Sequence, residues 1–306
     1  MAGAARRAGG RVSPVAIDAR LAHDVWLQLI SDEELYRAML DGTHHALAAS
    51  RALGDRELAV LDALRAEKGT RWNIENLRFR TALECGATLT SYLPRTVRML
   101  TNGDENWLQD VCFEYLAYFR WKEHGHFRFT ECERFATYVR ERIMKRRITP
   151  PHLEVVLDFE LAVIRLLKRT AALPPPWPAP PVLDDDALAA ARLGRGRAVE
   201  VITLPVDIRA WVESGDPLRG EVRPAPVTFL AVVPSLDQPH RLKILGEGPA
   251  LVLDQLTGER PTGELAAALE DEYGLEASAL YAMLRGWLAE RVVEVVAAPA
   301  SACPAA

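Results

Sequence analysis

One short stretch of the chain gathers residue types that bind metals or act as acids and bases. Glu123, His124, His126, Glu131 and Cys132 lie close together, and an H-x-H pair can hold iron or zinc. The spacing is loose, however, and the stretch falls at a predicted helix end, where polar residues gather. We therefore predict no metal and no other cofactor in this chain, and keep a metalloenzyme built on the His124 region as a third hypothesis.

Other residues with catalytic chemistry also lack a suitable arrangement. Asp158 and Glu160 are two apart on a predicted helix and do not face each other. His44 and His45 are adjacent, point in different directions on a helix, and are predicted to be surface residues. The segment Gly194-Arg195-Gly196 lacks the third glycine and the preceding strand of a dinucleotide loop, and the motifs of serine hydrolases, zinc proteases and P-loop proteins are missing. The sequence predicts a non-catalytic chain.

A run of cations offers a different kind of site. It consists of Arg140, Arg142, Lys145, Arg146 and Arg147. Cations at a helix C-terminus stabilise the helix dipole, which is one explanation of the run. The alternative explanation is a docking patch for an acidic partner or peptide. The aromatic residues that accompany the cations of nucleic-acid sites are not interleaved here.

The first half of the chain has the pattern of consecutive helices without a strand signal. Ser31 with Glu34, and Thr130 with Glu133, have the spacing of capping boxes, and Pro94 suits the first turn of a helix. These features predict an all-α bundle over residues 15–172, preceded by a disordered segment 1–14. Clustered prolines then predict a stiff, extended linker over residues 173–198, which includes the acidic residues 184–186.

The last third has a different pattern. Strands are predicted over 199–204, 227–233 and Arg241–Leu245, the last two forming a hairpin. Helices are predicted over 249–256, 262–273 and 277–290, followed by a strand over 292–296. Three strands, three short helices and a closing strand predict a winged-helix-like domain over residues 199–297, with a frayed tail at 298–306. The fold class is therefore α+β, a helical bundle followed by this domain.

Winged helices either place their third helix in a DNA groove or accept an extended peptide beside a sheet edge. The predicted third helix has only Arg285 and Arg291 as bases near its apolar residues, which is too little positive charge for a phosphate backbone. We therefore favour a peptide groove between this helix and a strand edge.

Composition agrees with a protein that does not bind nucleic acid. The chain has 306 residues, 49% hydrophobic and 26% charged, with a formal net charge of -5. These values are ordinary for a globular protein with a sizeable core, and the net charge does not favour nucleic acid. Four separated cysteines predict neither a zinc ribbon nor a disulfide framework. We expect a cytoplasmic protein without a signal peptide or a membrane span.

The C-terminal segments "LDQLTGERPTGELAAAL" and "EYGLEASALYAML" resemble the PqqD-like domain known as the RiPP recognition element, in which Thr262 would cap a helix. That family binds the leader of a ribosomally made precursor peptide. The resemblance implies that the strand of Arg241, Leu242, Lys243, Ile244 and Leu245 supplies backbone hydrogen bonds to the leader. The predicted pocket consists of Leu280 and Leu284, with Arg285 beside them.

The helical half, from "ENLRFRTALECGATLTSYLPRTVRML" to "HLEVVLDFELAVIRLL", resembles the helical domain of partner proteins of multinuclear non-haem iron-dependent oxidative enzymes. Methanobactin and thiaglutamate pathways contain such pairs. The resemblance implies a heterodimer in which the partner enzyme holds the iron. The predicted docking residues are Tyr92, Arg95, Trp121, Arg146 and Arg147.

Together these observations predict an accessory protein of peptide natural-product biosynthesis. It would bind the precursor leader and deliver the core peptide to the iron oxidase, raising the local substrate concentration to roughly millimolar. The alternative is a winged-helix transcription regulator with a helical sensor domain.

Overall fold

The computed structural model describes residues 18–104, 106–121, 128–174, 177, 179–235 and 238–296. It combines many helices with two small antiparallel sheets, so the α+β class is confirmed. The predictions for residues 1–14, Glu123, His124, His126, Cys303 and the tail 298–306 concern positions outside the described residues. No helix in the described part of the chain combines the length and apolar character needed to span a bilayer.

Helices fill the first half of the chain, as predicted. Their bounds are α1 Ala19–Ser31, α2 Glu33–Asp41, a short 3-10 helix His44–Leu47, α3 Ala48–Arg51, α4 Asp55–Ala66, α5 Thr70–Tyr92, α6 Pro94–Leu100, α7 Asn106–Tyr118, α8 Arg128–Met144 and α9 Leu153–Ala171. Pro94 begins α6, as expected from its fixed φ.

The predicted capping box at Ser31 is wrong. Ser31 ends α1, and Asp32 caps α2 by accepting a hydrogen bond from the backbone N–H of Leu35 at 3.0 Å. Aspartate is as good an N-cap as serine, and here it stands one residue nearer the helix. Thr130 lies inside the first turn of α8 and does not precede it.

The C-terminal part contains α10 Asp185–Ala190, β1 Leu193–Arg195, β2 Val199–Leu204, α11 Arg209–Ser214, β3 Val227–Val232, β4 Arg241–Leu245, α12 Glu247–Gln255, α13 Thr262–Tyr273, α14 Ala277–Ala289 and β5 Val293–Val295. β2, β3 and β4 form one antiparallel sheet in that order, whereas β1 and β5 form another. The predicted β3–β4 hairpin and the three helices that follow are confirmed.

The prediction of an extended linker is wrong from Asp184 onward. The Asp184 side chain caps α10, whose Leu188 is fully buried in the same apolar cluster as Leu265 and Leu269 of α13. Thr262 was expected to cap α13, but its hydroxyl donates to the carbonyl of Ala191 at 2.8 Å. The segment after the prolines is therefore part of the folded core rather than a spacer.

The chain forms two compact units. One contains residues 1–85 and 109–123; the other contains residues 86–108 and 124–306. The division falls within α5, and α6, α8 and α9 belong to the unit that holds both sheets. The boundaries of these units thus differ from those of the predicted domains.

The first unit is organised around a buried arginine. Arg78 on α5 donates to the carbonyl oxygens of Leu29 and Ile30 at the end of α1, at 3.1 and 2.9 Å. It also pairs with Glu33 and lies 4.7 Å from the ring centroid of Tyr36. These contacts satisfy α1 carbonyls that have no partner within the helix.

The second unit covers both faces of the three-stranded sheet. Leu230 and Val232 of β3 face the cluster formed by α12, α13 and α14. Phe229 points the other way, and its ring centroid lies 5.2 Å from that of Phe159 on α9. Since side chains alternate along a strand, both faces of β3 are buried, which explains its continuous apolar run.

Gly196 provides a test of this packing. Its N–H donates to the carbonyl of Val292 at 2.9 Å, and a Cβ there would overlap the carbonyl oxygen of Arg291. We expect Gly196→Ala to lower the free energy of unfolding by about 2 kcal/mol, measured by urea denaturation. Gly286 lies within α14, where an added Cβ would have no neighbouring atom within 4 Å. The control Gly286→Ala should therefore raise the free energy of unfolding by up to about 1 kcal/mol. Equal losses in both variants would contradict this description.

Candidate functional site

The strand β4 is an edge of its sheet. Among the described residues it pairs with β3 alone. An edge strand presents unpaired N–H and C=O groups on its outer side, to which another extended chain can bind. Ile244 is 47% exposed, and Arg241 and Lys243 are also exposed. The predicted peptide-binding strand is therefore accessible along its outer edge.

The structure does not place the predicted pocket residues at that edge. Leu280 and Leu284 of α14 have no exposed surface and belong to the core that supports the sheet. Arg285 is exposed on α14 and pairs with Asp185 at the start of α10. Their periodicity indicated an apolar helix face, but could not distinguish a core face from a groove.

Ion pairing links β4 to the end of α14 on this side. Lys243 Nζ lies 2.5 Å from both carboxylate oxygens of Glu290, the residue that follows α14. Arg241, two residues earlier on the same face of β4, donates to the side-chain oxygen of Gln238 at 3.1 Å. The face of β4 toward α14 is thus polar at its rim.

A cavity lies beside β4 on the opposite face of the sheet. It has a volume of about 90 Å³. Its lining consists of Ser91, Tyr92, Pro94, Arg95, Phe159, Glu160, Val163, Ile164, Leu167, His240 and Leu242. The residues come from the end of α5, from α6 and α9, and from β4 with the residue before it. Because Ser91 and Pro94 are exposed, the cavity opens to the surface.

A buried carboxylate forms the floor of this region. Glu160 is 3% exposed, and its two oxygens accept hydrogen bonds from the backbone N–H groups of Arg95 and Thr96 at 2.8 and 3.0 Å. Burial raises the pKa of Glu160, whereas these two N–H groups and the Arg95 guanidinium act in the opposite direction. The only signal for this role in the sequence is a glutamate within an apolar stripe.

Arg95 extends this network to α11. Its guanidinium donates to the carbonyl oxygens of Trp211 and Val212 at 3.2 and 3.0 Å. One turn further along α6, Arg98 forms two hydrogen bonds with Asp216 at 2.7 and 3.0 Å. The bonds from Arg95 satisfy two carbonyl groups at the end of α11, and those from Arg98 bind the side chain of Asp216 just beyond it. Arg95, predicted to dock a partner, is instead engaged inside its own unit.

The other predicted docking residues are dispersed. Trp121 is buried, with its ring 5.3 Å from Phe113 and 5.2 Å from the Arg78 guanidinium. Tyr92 is half-buried and lines the cavity. Arg146 and Arg147 are exposed just beyond α8. In the same run, Arg140 pairs with Asp158 and Lys145 with Glu141, which reduces the positive charge of the patch.

A surface that the sequence did not single out runs along α5. Trp72, Phe79 and Leu83 are 67%, 42% and 51% exposed. Their spacing of seven and four residues places them on one face of the helix. An exposed apolar stripe of this kind is typical of a protein-binding surface. Apolar periodicity alone does not distinguish an exposed helix face from a buried one, which is why sequence reasoning missed this stripe.

His44 and His45 were predicted to diverge, and this is wrong. His44 is buried, and the Nε2 atoms of the two rings lie 3.0 and 3.1 Å from the carboxylate oxygens of Asp62. The centroids of the two rings lie 4.6 Å apart, so both imidazoles reach the same carboxylate. The three donors are close enough for a cation, but Nδ1 of His44 is buried without a partner. Metal-bound imidazoles almost always donate from that second nitrogen, so we interpret the cluster as hydrogen bonding that holds the 3-10 helix to α4.

The described cysteines are buried thiols. Cys85, Cys112 and Cys132 are buried, and none of them forms a disulfide with another described cysteine. Burial, together with the charges of Glu131, Glu160 and Glu133, raises the pKa of Cys132 to about 12. Cys132 is therefore protonated near neutral pH and is a poor nucleophile.

Comparison with known proteins adds no identification. The sequence matches neither a protein-family model nor a curated protein. The edge strand, the cavity and the resemblances described above are therefore the observations that bear on function.

The role of Glu160 can be measured. Glu160→Ala leaves two buried N–H groups without their acceptor and removes the ion-pair partner of the Arg95 guanidinium at 3.7 Å, so we expect the free energy of unfolding in urea to fall by about 3 kcal/mol. Asp158, two residues earlier on α9, is half exposed and pairs with Arg140 at 2.5 Å. The control Asp158→Ala should cost less than about 1 kcal/mol. A loss at Glu160 no greater than that at Asp158 would refute the assignment.

Proposed function

We propose that the chain is a non-catalytic adaptor that binds the leader of a ribosomal precursor peptide and presents the core peptide to a partner iron oxidase. The observation that carries the proposal is the outer edge of β4, which is exposed and pairs with no other described strand. A polypeptide can hydrogen-bond to such an edge in any sequence, while side-chain pockets select the sequence.

The order of elements supports the peptide interpretation. Three antiparallel strands are followed directly by three helices. In the finer interpretation that we propose, β2 to β4 and α12 to α14 form the PqqD-like, winged-helix-like recognition element. Leu280 and Leu284 then support the strand from below instead of touching the leader.

The alternative of a DNA-binding regulator has less support. A recognition helix needs exposed cations that can reach phosphates and bases. On α14 the exposed Arg285 is paired with Asp185, and the chain has a net charge of -5. Sequence-selective DNA binding with a steep dependence on salt would favour that alternative instead.

The partner surface we propose is the exposed stripe of Trp72, Phe79 and Leu83 on α5. The proposed occupant is the multinuclear iron oxidase, which holds the iron, and the complex forms in the cytoplasm. Two attachments, one for the leader and one for the enzyme, raise the local concentration of the core peptide at the iron site. The oxidase can then accept varied core sequences.

Peptide binding at the edge is tested with candidate precursor peptides chosen from the short reading frames that flank this chain's gene. Ile244→Asp introduces a charge on the exposed edge, and we expect it to weaken precursor binding at least about tenfold in fluorescence anisotropy. Tyr273→Asp alters a comparably exposed apolar residue on α13 and should leave the affinity unchanged. If wild-type protein binds no precursor, or if Ile244→Asp binds it normally, the proposal fails.

Enzyme docking is tested by co-expression with the neighbouring oxidase. The wild-type pair should elute together in size-exclusion chromatography. Trp72→Glu should abolish co-elution, because it places a charge in the apolar stripe. Trp107→Glu changes another exposed tryptophan, at 62% exposure on α7, and should preserve it. Co-elution that survives Trp72→Glu would exclude the α5 stripe as the docking surface.

A further inference from the structure

The cavity beside β4 has the size of one aliphatic side chain. Its volume of about 90 Å³ equals roughly three water molecules, at about 30 Å³ each. Phe159, Ile164 and Leu167 of α9 form one wall, and Leu242 of β4 forms the other. His240 completes the lining next to the strand. Most of this lining is hydrocarbon, so a branched aliphatic group suits it better than a polar one.

The surrounding polar groups do not oppose an apolar occupant. The carboxylate of Glu160 and the guanidinium of Arg95 are engaged with each other and with backbone groups. Burial and the positive charge of Arg95 lower the pKa of His240, so its ring is neutral near pH 7. The cavity therefore presents no unneutralised charge of its own.

Strand geometry determines which peptide residue can enter. When a chain adds to β4, the residue directly opposite Leu242 points to the same face as Leu242. That face contains the cavity. The adjacent peptide residues point to the other face, opposite Arg241 and Lys243. One residue of the added strand is thus directed at the cavity and its neighbours are directed at cations.

Lys243 and Arg241 differ in whether a carboxylate of the protein already neutralises their charge. Lys243 is paired with Glu290 at 2.5 Å. Arg241 is exposed, and its guanidinium hydrogen-bonds to the neutral side chain of Gln238. A carboxylate opposite Arg241 gains a charge complement, since opposite charges across a ladder attract. A carboxylate opposite Lys243 must compete with Glu290.

We propose that this cavity is a specificity pocket for a leucine, isoleucine or valine of the bound peptide, with an adjacent aspartate or glutamate facing Arg241. This inference rests on the proposed peptide-binding function. The aliphatic residue of the peptide is selected on the face of β4 that is turned toward α9. On that face, residues of α5, α6 and α9 line the pocket together with β4. The face toward α14 supplies the acidic preference.

The experiment selects ligands for the full-length protein from a displayed library of random short peptides. We expect enrichment of an aliphatic residue next to an acidic one. A synthetic enriched peptide is then titrated against variants. Leu167→Trp fills the cavity and should weaken binding roughly ten- to a hundredfold, the effect of excluding one aliphatic side chain. Arg165→Trp, at an exposed position on the same helix, should bind as wild type.

A second variant keeps the inference testable if Leu167→Trp does not fold. Leu167→Ala enlarges the cavity and should shift library selection toward methionine or phenylalanine. Replacing the aliphatic residue of the peptide by asparagine should weaken binding to the wild-type protein. The same replacement should cause little further loss of affinity in Leu167→Trp, because both changes remove the same contact.

The outcomes separate this inference from the proposed function. Enriched peptides that depend on Ile244 but lack the aliphatic and acidic pair, or that bind Leu167→Trp normally, overturn the specificity pocket while peptide binding stands. If neither the library nor the precursor yields a peptide whose binding is weakened by Ile244→Asp, the proposed function is overturned. The specificity pocket is then overturned as well.

Discussion

The carboxylate of Glu160 is the constraint on which the second unit depends. A buried charge is costly unless hydrogen bonds and an opposite charge compensate it. Here the first two N–H groups after Pro94 and the Arg95 guanidinium supply that compensation. Since Arg95 also bonds to the end of α11, one carboxylate fixes α6, α9 and α11 in a single arrangement. Removing the carboxylate leaves the N–H groups of Arg95 and Thr96 without their acceptor.

This arrangement determines which part of the sheet is available. α9 covers one face through Phe159 and Phe229, and α12 to α14 cover the other. The edge at β2 lies beside α9, with Glu200 held by Arg169 at 3.0 Å. β4 is the opposite edge of the sheet, and its residues Arg241, Lys243 and Ile244 are exposed. The two covering layers also supply different neighbours, a largely apolar cavity on one side and an ion-paired rim on the other.

The adaptor function that we propose requires rigid contact surfaces rather than catalytic groups. The titratable clusters described above hold segments of the chain together: Arg78 closes the end of α1, Asp62 joins two histidines, and Arg98 ties α6 to Asp216. Exposed apolar residues on α5 and the β4 edge are the features suited to binding other chains.

Local sequence signals were sufficient to predict most of the secondary structure. Period and turn residues predicted the helical first half, the hairpin of β3 and β4 and the three helices after it, because these signals act over a few residues. These signals failed where the outcome depends on distant partners. Asp184 to Asp186 and the prolines predicted a linker, yet α10 forms because Leu188 finds the α13 face. The sequence analysis places Leu280 and Leu284 in a groove, whereas the structure buries them in the core. Hydrophobic spacing shows that a helix has an apolar face, but only tertiary packing decides whether that face meets the protein's own core or remains exposed.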